Sequence, residues 1–155
     1  MKNFSIILWL LLTIYPAKGY AFDEEEHYCL TEAIYFEGRS ESRIGQLAIA
    51  NVILERVKQR AFPDTICGVV HEWKGYPYKH ECSFSYYCDG KKEIMYEKSA
   101  LIIAMEIATL ALEGALVEDI WGATHYHTRY TEPYWINEMF RIGIIDDHIF
   151  YERNW

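Results

Sequence analysis

Apolar residues recur at helical spacing in three stretches of the chain and lose that period elsewhere. In the first stretch, Leu30, Ala33 and Ile34 precede Glu37 by seven, four and three residues. All four therefore share one face of a helix predicted over about Glu24 to Glu37. Glu32 falls on the opposite face and reads as a solvated charge. The run Asp23-Glu24-Glu25-Glu26 suits the positive start of this helix, and Gly38 is expected to stop it in the left-handed conformation. A second helix is predicted over about Arg43 to Gln59. Its apolar residues, among them Ile44, Leu47, Ile49, Val52, Ile53 and Val57, cover most of the circumference, which marks a central helix packed on several sides. Its polar exceptions, Gln46 and Asn51, then need buried partners. Phe62-Pro63-Asp64-Thr65 reads as a turn, with Asp64 or Thr65 capping a short helix through Val70. The third long stretch predicts a buried helix from about Glu93 to Glu113, stopped by Gly114.

The remaining segments have other patterns. Residues 72–90 are aromatic, rich in turn residues and cysteine-bearing, and are read as an irregular lobe with a short hairpin. Gly122 to Tyr130 alternates and predicts a strand, whereas Pro133 to Trp155 shows no clear period. No repeat or linker divides residues 22–155. The expected fold is mainly α (α+β), with a central buried helix and a small irregular or β lobe, in a single domain large enough for a real core.

Composition and charge change the setting of this domain. Lys2, the apolar run Phe4 to Tyr15, Pro16 and the small residues of Gly19-Tyr20-Ala21 read as a secretory signal peptide over residues 1–21, cleaved before Phe22. The alternative, an uncleaved anchor, suffers from an apolar run that is short for a membrane span. Removing residues 1–21 takes away Lys2 and Lys18 and no acid, leaving 13 basic against 23 acidic residues, a formal charge of −10. Nucleic acid is thereby excluded as a partner, since neutralising phosphates needs a basic face, and so is attraction to an anionic membrane after cleavage. A neutral polysaccharide, bound by stacking and hydrogen bonds, is compatible. The four cysteines, Cys29, Cys67, Cys82 and Cys88, all follow the cleavage point and suggest two disulfides in an exported domain. Three pairings are possible; Cys82–Cys88 with Cys29–Cys67 is the favoured one. A zinc site from Cys82, Cys88 and His80 is disfavoured by the lack of a C-x-x-C pair, and a cysteine-nucleophile peptidase would need one thiol free beside a histidine.

Glu37 is the leading chemical candidate. A carboxyl at the rim of an apolar face can hold its proton near neutral pH, and cleaving a glycosidic bond needs such a proton on the departing oxygen. A local salt bridge to Arg39 is the bland alternative. Glu41 lies beyond Gly38, so a shared helical face cannot be assumed; it supports the site or supplies a second carboxylate. In a strand, His125 and His127 would point the same way, which suits a metal pair, but no third ligand stands at a characteristic spacing. Contact with substrate by one of these histidines or by Tyr126 is favoured over metal binding, and no cofactor is expected. Most aromatic residues are expected in the core, with Phe84, Tyr86, Tyr126 and Trp135 as candidates to support or face a ligand.

Five ordered blocks resemble the SleB-type cell wall hydrolases, named for spore-cortex-lytic enzymes. They are Tyr35-Phe36-Glu37-Gly38-Arg39-Ser40-Glu41; Gly45-Gln46-Leu47-Ala48 with Glu55-Arg56-Val57; Phe62 to Val70; Cys82 to Gly90; and Gly122 to Thr128. The resemblance spans about residues 29 to 151. Gly38, Ser40 and Glu55 depart from the usual Ala, Gly and Asn; the first two are small-for-small changes beside the acid and bear on loop stiffness. The resemblance implies a lysozyme-like, mainly helical fold that cuts peptidoglycan glycan strands, with Glu37 in the place of the family's catalytic acid. The resulting expectation is an exported, monomeric lytic transglycosylase, in the periplasm or outside the cell. The alternatives are a hydrolase of the same bond and a catalytically silent glycan-binding module.

Overall fold

The computed structural model describes residues 23–73 and 82–153. The proposed signal peptide, and Gly75, Tyr76, Pro77, Tyr78 and His80 of the aromatic lobe, lie outside the described residues. Helices α1 (Glu24–Gly38), α2 (Arg43–Lys58), α3 (Ile66–Val70) and α4 (Lys98–Leu112) come first, followed by strands β1 (His125–Thr128), β2 (Met139–Ile145) and β3 (His148–Arg153). The strands form one antiparallel sheet in the order β1-β3-β2. The mainly helical architecture with a small sheet agrees with the expectation from the sequence.

The helix starts follow from capping. Asp23 accepts from the amide of Glu25, Ser42 from that of Gly45, and Thr65, rather than Asp64, from that of Gly68. Helix α2 is central, as its apolar circumference implies. Its residues Ile49, Ala50 and Ile53 join the core shared with α1, α3 and α4, while Ala48 and Val52 meet Ile120, Ala123 and Phe150 beneath the sheet. Phe150, fully buried, is the sheet's anchor on α2, and burying a ring of that size is worth ~1.5–3 kcal/mol. Asn51 finds its partners by bridging Ala115 O and the amide of Val117, and Gln46 donates to Glu41 O.

Several details differ from the sequence reading, each for a physical reason. Glu32 is not solvated: it is 5% exposed, because the lobe after α3 covers a second side of α1. Gly38 is the last residue of α1 and is not left-handed; among the described glycines only Gly90, Gly114 and Gly122 have positive φ. What Gly38 supplies is close approach, since a Cβ there would stand 3.0 Å from Ile49 Cδ1 and 3.2 Å from Gln46 Cγ of α2. Helix α4 starts at Lys98 rather than Glu93. The hydroxyl of Tyr35 accepts the Glu97 amide at 3.0 Å, which holds the preceding segment off the helical path across the end of α1. Helix α4 also buries one face only: Ala104, Ile107, Ala108 and Ala111 are inside, whereas Ile102, Met105 and Leu110 are exposed. The tail without period is the β2–β3 hairpin. A register shift between Arg141 and Gly143 breaks the alternation that would have announced it, and Asp146 takes the positive φ of its turn.

Both favoured disulfides are present, Cys29–Cys67 joining α1 to α3 and Cys82–Cys88 closing the lobe around a 3-10 turn over Ser85–Cys88. An isolated antiparallel bridge between Trp73 and Cys82 brings the two ends of the lobe together.

Candidate active site

Glu37 sits in the last turn of α1, half-buried, with its side chain turned toward β1. The Tyr126 hydroxyl donates to Glu37 Oε2 at 3.3 Å. Tyr126 reaches it because β1 pairs with β3 so that Tyr126 stands opposite Phe150 on the face packed against α2. The salt bridge to Arg39 does not form; Arg39 donates to the Tyr35 hydroxyl and lies over its ring. Burial raises the pKa of the Glu37 carboxyl, and the Tyr126 hydrogen bond and the charge of Arg56 oppose that rise less strongly. A carboxyl of this kind holds its proton to higher pH than an exposed glutamate and can donate it to a partner atom on its open side.

Three other acids of this region are engaged elsewhere. Glu32 accepts from the Tyr86 hydroxyl at 3.1 Å and lies 2.9 Å from His71 Nε2. Glu72 accepts from Ser83 Oγ. Glu41 is almost buried; it accepts from the Asp147 amide and lies 3.7 Å from His148 Nδ1. Together with Ser42, which donates to Asp146 through its amide and its hydroxyl, Glu41 fastens the turn after α1 to the hairpin tip. Its role here is to place α1 against the sheet. His148, enclosed in this joint, has its pKa lowered by burial, against the pull of Glu41, Asp147 and Asp146.

The other candidate residues divide into two groups. Tyr86 stacks on Phe36, the neighbour of Glu37, with ring centroids 4.6 Å apart, and its own pKa is pushed upward by burial, then by Glu32. Phe84 is a core residue, 2% exposed, so it supports the site from beneath and does not face a ligand. His125 and His127 do point the same way, but to the face of β1 opposite Tyr126. There they gather around Trp135, and His127 Nε2 meets the Tyr151 hydroxyl at 2.9 Å. They are not brought to Glu37. Among the described residues no group of three or more His, Cys, Asp or Glu side chains is placed to hold a metal ion. A cavity of about 380 Å³ lies between α2 and the end of α4, lined by residues such as Leu54, Leu112, Val117 and Trp121, and none of the candidate site residues borders it.

Arg56 is a further buried charge beside these residues. It is 7% exposed, donates through Nε to Thr124 O at 2.7 Å, and lies over the rings of Phe62 and Phe84. The sequence carries a signal of it: Arg56 follows Ile49, Val52 and Ile53 by seven, four and three residues, the same interruption of an apolar face that singles out Glu37.

Comparison with known proteins gives the family. Residues 40–151 match the cell wall hydrolase family. The chain belongs to this family. The match begins three residues after Glu37, so the position of that acid rests on the geometry above and on the motif. This cell wall hydrolase is similar to the spore cortex-lytic enzyme of Halalkalibacterium halodurans, 29% identical over 130 residues, which are 83% of this chain and 35% of that protein. It is also similar to the spore cortex-lytic enzyme of Bacillus subtilis, 41% identical over 51 residues, 33% of this chain and 17% of that protein. The chain thus spans about a third, or less, of the length of the curated relatives it matches. Among solved structures it is similar to the catalytic domain of the Bacillus cereus SleB protein, with a TM-score of 0.63 and 26% identity over 86% of this chain and 94% of that one. The catalytic domain of a germination-specific lytic transglycosylase, SleB from Bacillus anthracis, has a like fold, with a TM-score of 0.62 at 24% identity over 86% of this chain and 99% of that one. The fold is the lysozyme-like, mainly helical one that the sequence implied.

Proposed function

We propose that this cell wall hydrolase is an exported lytic transglycosylase that cuts the glycan strands of peptidoglycan with Glu37 as its single acid. The observation that carries the reading is the Glu37 carboxyl itself: half-buried at the end of an apolar helix, hydrogen-bonded by the Tyr126 hydroxyl, and with its pKa raised by burial. Protonated Glu37 donates to the oxygen bridging N-acetylmuramic acid and N-acetylglucosamine as the bond from that oxygen to the muramic anomeric carbon breaks. The muramic 6-hydroxyl then attacks that carbon, and its proton passes to the Glu37 carboxylate, which restores the acid. No water is consumed and the new end is a 1,6-anhydro ring. Hydrolysis would call for a second carboxylate to activate water, and Glu32, Glu41 and Glu72 are each occupied with other partners. This favours the transglycosylase route.

The setting is consistent with the chemistry. Two disulfides suit an oxidising compartment, and residues 1–21 are the signal peptide that takes residues 22–155 there. No helix among the described residues is long and apolar enough to cross a membrane. The domain acts as a monomer on an uncharged backbone of sugar, for which a formal charge of −10 is no obstacle.

The pH dependence has a definite sign. The protonated form of Glu37 is the active one, so the rate is lost as pH rises through its raised pKa. Tyr126 donates to the ionised carboxylate, so Tyr126→Phe removes a bond that favours ionisation. The alkaline limb of the rate profile then moves to higher pH, and the maximal rate falls roughly tenfold for loss of an aligned donor. An unmoved limb would place Tyr126 outside the site.

A silent glycan-binding module is separated from the enzyme by one assay. Purified protein, incubated with insoluble peptidoglycan, releases soluble fragments if it is the enzyme; co-sedimentation with the wall and no release means a binding module.

A further inference from the structure

Arg56 is a cation with almost no access to solvent, and the groups around it do not explain its place by stability alone. A buried charge is costly, and a buried ion pair replaced whole by apolar side chains is often neutral or favourable for folding. Its Nε bond to Thr124 O fixes the backbone two residues before Tyr126, the residue that donates to Glu37. The guanidinium carbon lies over the rings of Phe62 and Phe84, 5.4 and 5.5 Å from their centres, which together with the Thr124 bond restrains the head group. Its Nη1 is buried and has no hydrogen-bond partner.

Three groups act on Glu37 from the elements packed around it: Tyr126 of β1 through a hydrogen bond, and Arg56 of α2 and Tyr86 of the 3-10 turn through their electrostatic fields. Arg56 is faced in turn by Glu72, and Tyr86 by Glu32 and Glu93. Arg56 is the one cation in this set. When Glu37 gives up its proton, a negative charge appears in a half-buried place where water cannot solvate it fully, and Arg56 is the positive charge whose field favours it there.

Resting on the reading of Glu37 as the acid, we propose that Arg56 is a positioning residue for that acid: it seats Tyr126 through Thr124 O and its fixed charge stabilises the Glu37 carboxylate formed as the proton leaves. The guanidinium does not touch the sugar. It acts on the charge that develops in the transition state, where a preoriented group in a poorly solvated site is worth most.

The test compares Glu37→Gln, Arg56→Met and Glu72→Gln by rate of fragment release against pH, with a carbon-detected titration of the Glu37 carboxyl in the folded protein as a readout independent of activity. Arg56→Met is expected to move both the alkaline limb and the Glu37 titration to higher pH and to lower the maximal rate about tenfold or more. Glu72→Gln leaves Arg56 with one carboxylate fewer and is expected to move both to lower pH. This variant keeps the test open should Arg56→Met fail to fold. Unmoved titrations, with Glu37→Gln inactive, overturn the role of Arg56 and leave the acid in place. Full activity of Glu37→Gln overturns the reading beneath it.

Discussion

Replacing Glu37 by Gln is expected to reduce fragment release from peptidoglycan by about a thousandfold or more, the upper range of what a positioned general acid contributes. The substitution keeps the shape of the side chain and its acceptor oxygen, so the Tyr126 hydroxyl retains a partner. It removes the transferable proton and nothing else of size. Because Glu37 carries a pKa raised by burial, its ionised form is disfavoured in the fold, and a neutral amide is no worse accommodated. The melting temperature of the variant should therefore match or slightly exceed that of the wild type. Circular dichroism melting and the release assay on one preparation check both halves. A dead variant that also melts early would point to a structural glutamate instead.

The second large effect is on stability. Cys29–Cys67 closes a loop of sequence separation 38, and Cys82–Cys88 one of 6. By the chain-entropy model the longer crosslink contributes about 4 kcal/mol and the shorter about 2 kcal/mol. Changing Cys29 and Cys67 together to Ser is expected to lower the melting temperature by roughly 10 °C for a domain of this size, more than the corresponding change at Cys82 and Cys88. The geometry adds to this ordering. Cys29 is buried in the main core, and α3, short as it is, is held to α1 by this bond and by Glu26, which accepts the Ile66 amide. A smaller loss at Cys29–Cys67 than at Cys82–Cys88 would contradict it.

What could be read from the sequence was whatever a single element determines. The face of α1 that carries Glu37, the all-round apolar surface of α2, the Thr65 cap and the stop at Gly114 are local, and the structure has them. What escaped depends on two elements meeting. Glu32 reads as solvated on an isolated helix and is buried because Tyr86 and His71 arrive from the other side. Arg56 interrupts an apolar face of α2, but what it meets there is decided only when Phe62, Phe84 and Thr124 enclose it. His125 and His127 alternate as a strand requires, but only the pairing of Tyr126 with Phe150 decides that they face away from the acid. The β2–β3 hairpin was hidden by its own bulge. Gly38 was assigned a special backbone conformation, whereas its need is spatial and lies in α2.

The roles of the two motif glutamates separate on the same grounds. Glu41 is spent on the amide of Asp147 and the ring of His148, so it holds the sheet to the end of α1. Glu37, three residues before the first position of the family match, is half-buried and takes its hydrogen bond from the Tyr126 hydroxyl instead.

The mass of the glycan ends that the purified domain releases from peptidoglycan separates the two reactions. The expected fragments end in 1,6-anhydromuramic acid and are one water lighter than hydrolytic ends. Fragments that carry the added water, and take up oxygen-18 when the digestion is run in labelled water, would contradict the transglycosylase route.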